Sequence, residues 1–262
     1  MADAAKDFNR VAVVTGAGRG IGQQIAVDFA SRGVNLVLNS LGEERLDATA
    51  HEATELGARV VIVPGDVTST EVVKRIISTA HDEFGRVDIL VNNAGANDIA
   101  SLVMASEERW QELFEVNIFA AFRLTKVAIR SMIRNRWGRI VNIASVAGEI
   151  GAAYNGAYSS SKAALIGFTK SIAREVAATG ITANAVNPWH VNTELVRSAM
   201  SGRGKLFGKP SEEYLKSVCL ASPRKSMITV EEVSSLVTYL ASEEASGING
   251  QSISVCGGAN TA

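Results

Sequence analysis

The sequence predicts a single α/β domain, spanning residues 1–262, built on a doubly wound parallel sheet of about seven strands with helices on both faces. Three observations predict it. Short β-branched runs alternate with helical periods along the whole chain. The runs are apolar nearly throughout, as strands buried on both faces are. A glycine-rich turn, Thr15-Gly16-Ala17-Gly18-Arg19-Gly20-Ile21-Gly22, separates the first run from the first helical period. Hydrophobic residues make up 47% of the 262, enough for one sizeable core and too many for a disordered chain.

In chain order, strands are expected at 11–15, 35–38, 59–63, 87–91, 139–143, 181–186 and 252–255. Helices are expected over 20–31, 43–56, 69–84, 106–134, 157–177 and 230–241. Three segments break the rhythm. Residues 95–105 form a loop after the fourth strand. Residues 146–155, rich in Gly and Ala, separate the fifth strand from its helix. The long stretch 188–229 is expected to carry short helices and to act as a substrate-covering lid at about 189–228.

The glycine turn has a physical use. Gly16 permits a tight turn, Gly20 lets backbone approach a pyrophosphate, and Gly22 lets the helix pack against the strand. The phosphates would rest on free N–H groups at the helix N-terminus, where the macrodipole favours anions. Tyr158 and Lys162 lie four residues apart and share one helix face. A nearby ammonium stabilises phenolate and lowers the phenol pKa from its ordinary ~10. Ser145, at the end of a strand, offers a hydroxyl to a carbonyl. Together these groups suit protonation of a carbonyl oxygen as hydride reaches its carbon.

The Gly-x3-Gly-x-Gly spacing, Asn92-Asn93-Ala94-Gly95, Asn117, Ser145, Tyr158-x3-Lys162 and Gly257-Gly258 occur in an order that resembles the short-chain dehydrogenase/reductase family over essentially the whole chain. The resemblance implies a Rossmann-type fold and an NAD(P)-dependent oxidoreductase interconverting a ketone and a secondary alcohol. It implies Tyr158 as acid/base, Ser145 orienting the carbonyl, Lys162 also on the nicotinamide ribose, and Asn117 holding a water in a proton relay. The four-residue Tyr–Lys spacing favours C=O over C=C chemistry. The implied cofactor contacts are Gly16, Arg19, Gly20, Ile21 and Gly22 in the cradle, Ser40 after the second strand, and Asp66 and Val67 after the third. Asn93, Gly95, Tyr158, Lys162, Pro188, Val191 and Thr193 complete them. Asp66 reads equally as a turn-forming residue and Asn117 as a helix-bending one.

No acid stands at 39–41, where an NAD site places one for the ribose 2′-hydroxyl. Arg19 inside the cradle suits a 2′-phosphate, so NADP(H) is favoured, with NAD(H) as the alternative; Leu41 stands where relatives often place a second Arg. The expected substrate contacts are Ser145, Tyr158, Ala147, Asn155, Trp189 and Leu195, and their small or neutral character suits an uncharged or aromatic ketone. Residues 180–185 are similar to 3-hydroxybutyrate dehydrogenases, but Ala147 and Asn155 replace the His and Lys of their carboxylate site. Arg136 matches a docking residue of 3-oxoacyl carrier-protein reductases, whose second Arg is Thr179 here. Both activities stay as alternatives, beside a non-catalytic nucleotide sensor. Arg130, Arg134, Arg136 and Arg139 read as a solvated face.

Trp189 stands where the family usually has Gly. It is expected to take a negative φ and to wall the substrate pocket or plug a gap beneath the next loop, with His190 facing outward or bonded to the lid. Net charge is −1, which argues against nucleic-acid or membrane-surface partners. Cys219 and Cys256 fit a reducing compartment, and no run approaches the ~20 apolar residues of a membrane span. The polar stretch from Met1 to Arg10 has no signal-like run, so a cytoplasmic location is expected. No His, Cys or carboxylate spacing suggests a metal. The resemblance implies a homotetramer, or a homodimer, formed through the two long helices.

Overall fold

A computed structural model describes residues 10–261, so the N-terminal expectation lies, but for Arg10, outside the described residues. Seven strands form one parallel sheet: β1 (Val11–Thr15), β2 (Asn35–Asn39), β3 (Val60–Ile62), β4 (Ile89–Asn92), β5 (Gly138–Ile143), β6 (Ile181–Pro188) and β7 (Ser252–Val255). Their order is β3-β2-β1-β4-β5-β6-β7. The chain winds outward from β1 to β3, then crosses back to place β4 beside β1. That reversal opens a crevice at the carboxyl ends of β1 and β4.

Strand alternation sends side chains to two cores. Ala12, Val14, Leu36 and Leu38 pack with Ile25 and Phe29 of α1 (Gly20–Ser31), Leu46 of α2 (Glu43–Glu55) and Val237 and Leu240 of a C-terminal helix, Val230–Leu240. Val13, Val37, Leu90 and Ile140 face the other way, against Ile76 and Ile77 of α3 (Thr70–Phe84). Both faces are therefore covered, which is why the strands are apolar along their length. Ser69 caps α3 by accepting from the Val72 N–H, and Gly85 ends it with φ of 76°.

The helix expected over 106–134 is present, with a change of winding inside it. It divides into α4 (Glu107–Phe114), a π-helical turn (Glu115–Phe119) and α5 (Ala120–Asn135), and the π turn contains Asn117. After β5 come a short α6 (Ala147–Ile150) and the long α7 (Gly156–Val176). After β6 the expected short helices are α8 (Glu194–Leu206) and α9 (Ser211–Ala221), and Val230–Leu240 is α10. Of the four arginines expected on a solvated face, Arg139 departs. It lies within β5 with its side chain 2% exposed, its guanidinium over the Trp137 ring and bonded to the Ser242 carbonyl at 3.0 Å. Position in a strand covered on both faces overrides the charge pattern there.

Buried amides tie α7 to the sheet. Asn142 of β5 donates to Thr169 Oγ1 of α7 and accepts from Asn92 Nδ2 of β4, both at 2.8 Å. Asn142→Leu should leave the Asn92 amide short of an acceptor and lower the free energy of unfolding by about 2 kcal/mol, read from urea denaturation. An unchanged midpoint would mean the network does not anchor α7.

Candidate active site

The crevice between β1 and β4 is a cleft of about 460 Å³. Gly16, Arg19, Gly20 and Ile21 line it from the β1–α1 turn, Ser40 from the end of β2, and Asp66 and Val67 from beyond β3. Asn93 and Gly95 line it from beyond β4, and Thr193 from beyond β6. Gly16 and Gly20 adopt φ of 64° and 58°, a region that side chains disfavour. A Cβ on Gly22 would stand 2.3 Å from the Gly16 carbonyl oxygen, so the close strand–helix approach requires glycine. The first turn of α1 holds no acid, and no side chain caps it. Its N–H groups remain available to an anion. Thus the cradle fits the pyrophosphate of a dinucleotide.

Several of the expected cofactor residues also have structural partners. Asp66 Oδ1 accepts from the Thr68 N–H at 2.8 Å, so its turn-forming role is real. Asn93 Nδ2 donates to the Thr15 carbonyl at 2.8 Å and bridges β1 to β4. Pro188 ends β6 and Val191 is 2% exposed in the core; their side chains line neither cavity described here.

Sequence reasoning missed a second cation. It looked for one at position 41, beside the strand end, where Leu41 is exposed. Arg45, one turn later in α2, lines the same cleft as Arg19. Glu194 of α8 accepts from both, with Arg45 Nη1 at 3.3 Å. The two guanidiniums hold the Glu194 carboxyl below its usual range, Arg19 first. A basic residue in the first turn of the helix after β2 is the signal that could have found it.

Tyr158 and Lys162 sit one turn apart on α7, as the spacing requires. Lys162 is buried, and its ammonium donates to the Ile143 carbonyl of β5 at 2.7 Å. It lies 5.8 Å from the Tyr158 ring centroid. Burial lowers the Lys162 pKa to about 8. At Tyr158 burial raises the phenol pKa, and a hydrogen bond with Ser145 opposes it. Ser145 also accepts from the Ala147 N–H at 3.1 Å, which fixes its hydroxyl beside Tyr158. Asn117 is 1% exposed; its amide donates to the Ala96 carbonyl at 3.0 Å and to Ser161 Oγ at 2.9 Å. A Cβ on Gly95 would meet Asn117 Oδ1 at 3.0 Å and Lys162 Nζ at 3.4 Å, so both groups converge on that glycine.

Ser145, Ala147, Asn155, Tyr158 and Trp189 line a second cavity of about 340 Å³. Leu195, expected with them, lines the cofactor cleft instead. Helical geometry explains the swap: Val196, Ala199, Met200 and Arg203 share the α8 face that meets the second cavity, and Leu195 falls outside that stripe. The non-glycine residues with positive φ among the described residues are Arg136, Tyr154 and Lys225, and Trp189 is not one of them. Its side chain lines the cavity and packs on the core beneath. His190 does not face outward. Its ring lies 4.4 Å from that of Trp189 in the cavity wall, and burial, helped by Arg203, lowers its pKa to about 4. The segment bearing α8 and α9 is closed at its base, where Ile228 N–H donates to the His190 carbonyl and Asn192 N–H to the Ile228 carbonyl. Among the described residues, no three His, Cys, Asp or Glu side chains are grouped to hold a metal ion. No helix of the described residues is long and apolar enough to cross a membrane.

The family model for short chain dehydrogenases matches residues 10–204. The D-beta-hydroxybutyrate dehydrogenase of Rhizobium meliloti (strain 1021) is 36% identical over 254 residues, covering 96% of this chain and 98% of that protein. An actinorhodin polyketide ketoreductase solved with NADPH superposes with a TM-score of 0.94 at 34% identity, covering 99% of this chain and 100% of that one. An NAD+-bound xylitol dehydrogenase superposes with a TM-score of 0.92 at 28% identity, covering 96% and 100%. Likeness of this extent, over a sheet whose switch point carries the glycine cradle, leads to one assignment: this chain belongs to the short-chain dehydrogenase family, oxidoreductases that act on CH–OH groups with a nicotinamide cofactor.

Proposed function

We propose that this protein interconverts a ketone and a secondary alcohol with NADP(H), Tyr158 serving as acid/base. The observation that carries the reading is that Ser145 and Tyr158 share the wall of the second cavity, with the buried Lys162 one turn behind Tyr158. When bound in the cleft, the nicotinamide supplies or accepts the hydride. In the reductive direction Ser145 donates to the carbonyl oxygen and polarises it. Tyr158 passes its proton to that oxygen as negative charge develops. The buried Lys162 ammonium offsets the charge left on the phenolate, and Asn117 holds the water that returns a proton by way of Lys162. Pro188, Val191 and Thr193 orient the carboxamide through the chain after β6.

NADP(H) is the favoured cofactor because Arg19 and Arg45 both border the cleft and share one exposed carboxylate, Glu194, that a 2′-phosphate can displace. The aromatic and small side chains of the second cavity suit the apolar or aromatic body of a substrate, with residues 189–228 as its lid. Assembly as a homotetramer through α4, α5 and α7 belongs to the same reading, supported by Phe119, Phe122 and Ile133, which are 45, 42 and 46% exposed. The free thiols Cys219 and Cys256 support a cytoplasmic location.

Tyr158→Phe should keep NADPH binding and lose turnover by about 10²–10⁴-fold, measured by nicotinamide absorbance on a panel of ketones. Activity within tenfold of the parent would remove Tyr158 from the role.

Arg45→Ala and Arg19→Ala should each weaken NADPH far more than NADH in fluorescence titrations, since only NADPH carries the 2′-phosphate. Equal losses for both cofactors would assign these arginines to the shared pyrophosphate or to folding.

Lys162 also predicts a pH dependence of stability. Its pKa falls from 10.5 unfolded to about 8 folded, so between those values the unfolded chain holds the extra proton. Stability should therefore rise with pH across that window, by up to about 3 kcal/mol in the parent relative to Lys162→Met. Parallel urea-derived curves for the two proteins would show that the ammonium is not buried at a cost.

A further inference from the structure

The second cavity contains one permanently charged side chain. No Asp, Glu or Lys lines it; Arg203 of α8 does. Arg203 Nη2 reaches the Ala153 carbonyl across the cavity at a long 3.4 Å, and its Nε is buried with no hydrogen-bond partner. No ion pair engages it among the described residues, whereas Arg19, Arg45, Arg86, Arg123 and Arg224 each have a carboxylate. A guanidinium left partly unmatched in a pocket loses hydration without recovering it, and its planar fork fits a carboxylate. The neighbouring His190 is held neutral, so it neither competes for an anion nor repels the guanidinium. Around this cation the wall is aromatic: Tyr154 packs on Phe207 at 5.3 Å, Phe207 stacks on Tyr214 at 5.8 Å, and Trp189 stands beside His190.

From this juxtaposition we infer that Arg203 binds the carboxylate of the substrate, so that the reaction runs on an oxo acid and its hydroxy acid rather than on an uncharged ketone. The inference rests on the reading of the second cavity as the substrate pocket. The apolar and aromatic wall takes the body of the acid, Ser145 and Tyr158 take its carbonyl, and Arg203 fixes the end that does not react. Specificity then lies on α8, in a part of the chain that carries none of the catalytic groups.

The test uses matched probes on the full chain with NADPH: 3-oxohexanoate, 5-oxohexanoate and 3-benzoylpropionate, each against its methyl ester. For at least one pair the parent should prefer the acid by about tenfold or more in kcat/KM. Arg203→Met should cut that acid's kcat/KM by about 10–100-fold, mainly through KM, and leave the ester within about threefold; Arg203→Lys should restore part of the loss. Esters preferred throughout, or acid and ester affected alike, would overturn the inference. A second arm needs no turnover. Tryptophan fluorescence of the protein saturated with NADP+ is titrated with benzoate and with benzamide. Benzoate should bind more tightly, and Arg203→Met should remove the difference; equal binding by the parent would overturn the anion site. If benzoate discrimination survives but neither acids nor esters turn over with either cofactor, the proposed reaction fails and the anion site stands.

Discussion

Covering both faces of a parallel sheet leaves its carboxyl edge as the place where polar groups can meet a ligand. Everything functional in this protein follows from that constraint. The two faces are filled by separate apolar clusters, so the interior of the sheet offers nothing to a substrate. The strand ends are different. Thr15, Asn39 and Asn92 are buried polar residues at the ends of β1, β2 and β4. Two of them hold the loops that follow: Thr15 Oγ1 accepts from the Asn93 and Ala94 N–H groups at 3.0 Å, and Asn39 Nδ2 donates to the Val63 and Gly65 carbonyls, while Asn92 Nδ2 donates to Asn142 of the neighbouring strand. The apolar sheet thus ends in a polar rim that pins the cofactor loops in place.

The same edge positions the groups proposed to react. Ser145 follows β5 directly, and the Ile143 carbonyl at its end accepts from Lys162. The buried Asn142–Thr169 bond then fixes α7 against that strand. Tyr158 is therefore located by contacts along its own helix as well as by its neighbours in the pocket. Asn117 lies in the π-wound turn, buried against the loop after β4. There it exchanges two hydrogen bonds with Ala96 and a third with Ser161. A mid-helix Asn would otherwise compete with its own backbone; here the competition is resolved by the loop after β4.

One helix touches both cavities. Glu194 and Leu195, at the start of α8, line the cofactor cleft, while Val196, Ala199, Met200 and Arg203 line the second cavity. Charge is divided along it: the acid at its first turn meets Arg19 and Arg45, and the cation near its end faces a cavity lined by no acid. The bridge of Val191 to Ile228 closes the base of this segment.

The sequence by itself determined the sheet, its seven strands and the cradle, because these depend on local period and on glycine conformations that few other residues adopt. It also determined the Tyr158–Lys162 face, since a four-residue spacing on a helix needs no knowledge of what packs against it. Only the tertiary structure decided the rest. The π turn at Asn117 comes with bonds to Ala96 and Ser161, which are 21 and 44 residues away. Arg139 is buried because β5 is covered on both faces, a fact absent from its charge. Arg45, Glu194 and Arg203 acquire their roles from the docking of α2 and α8 onto a common edge. The direction a surface cation faces is set by packing between elements distant in sequence, and no local pattern encodes it.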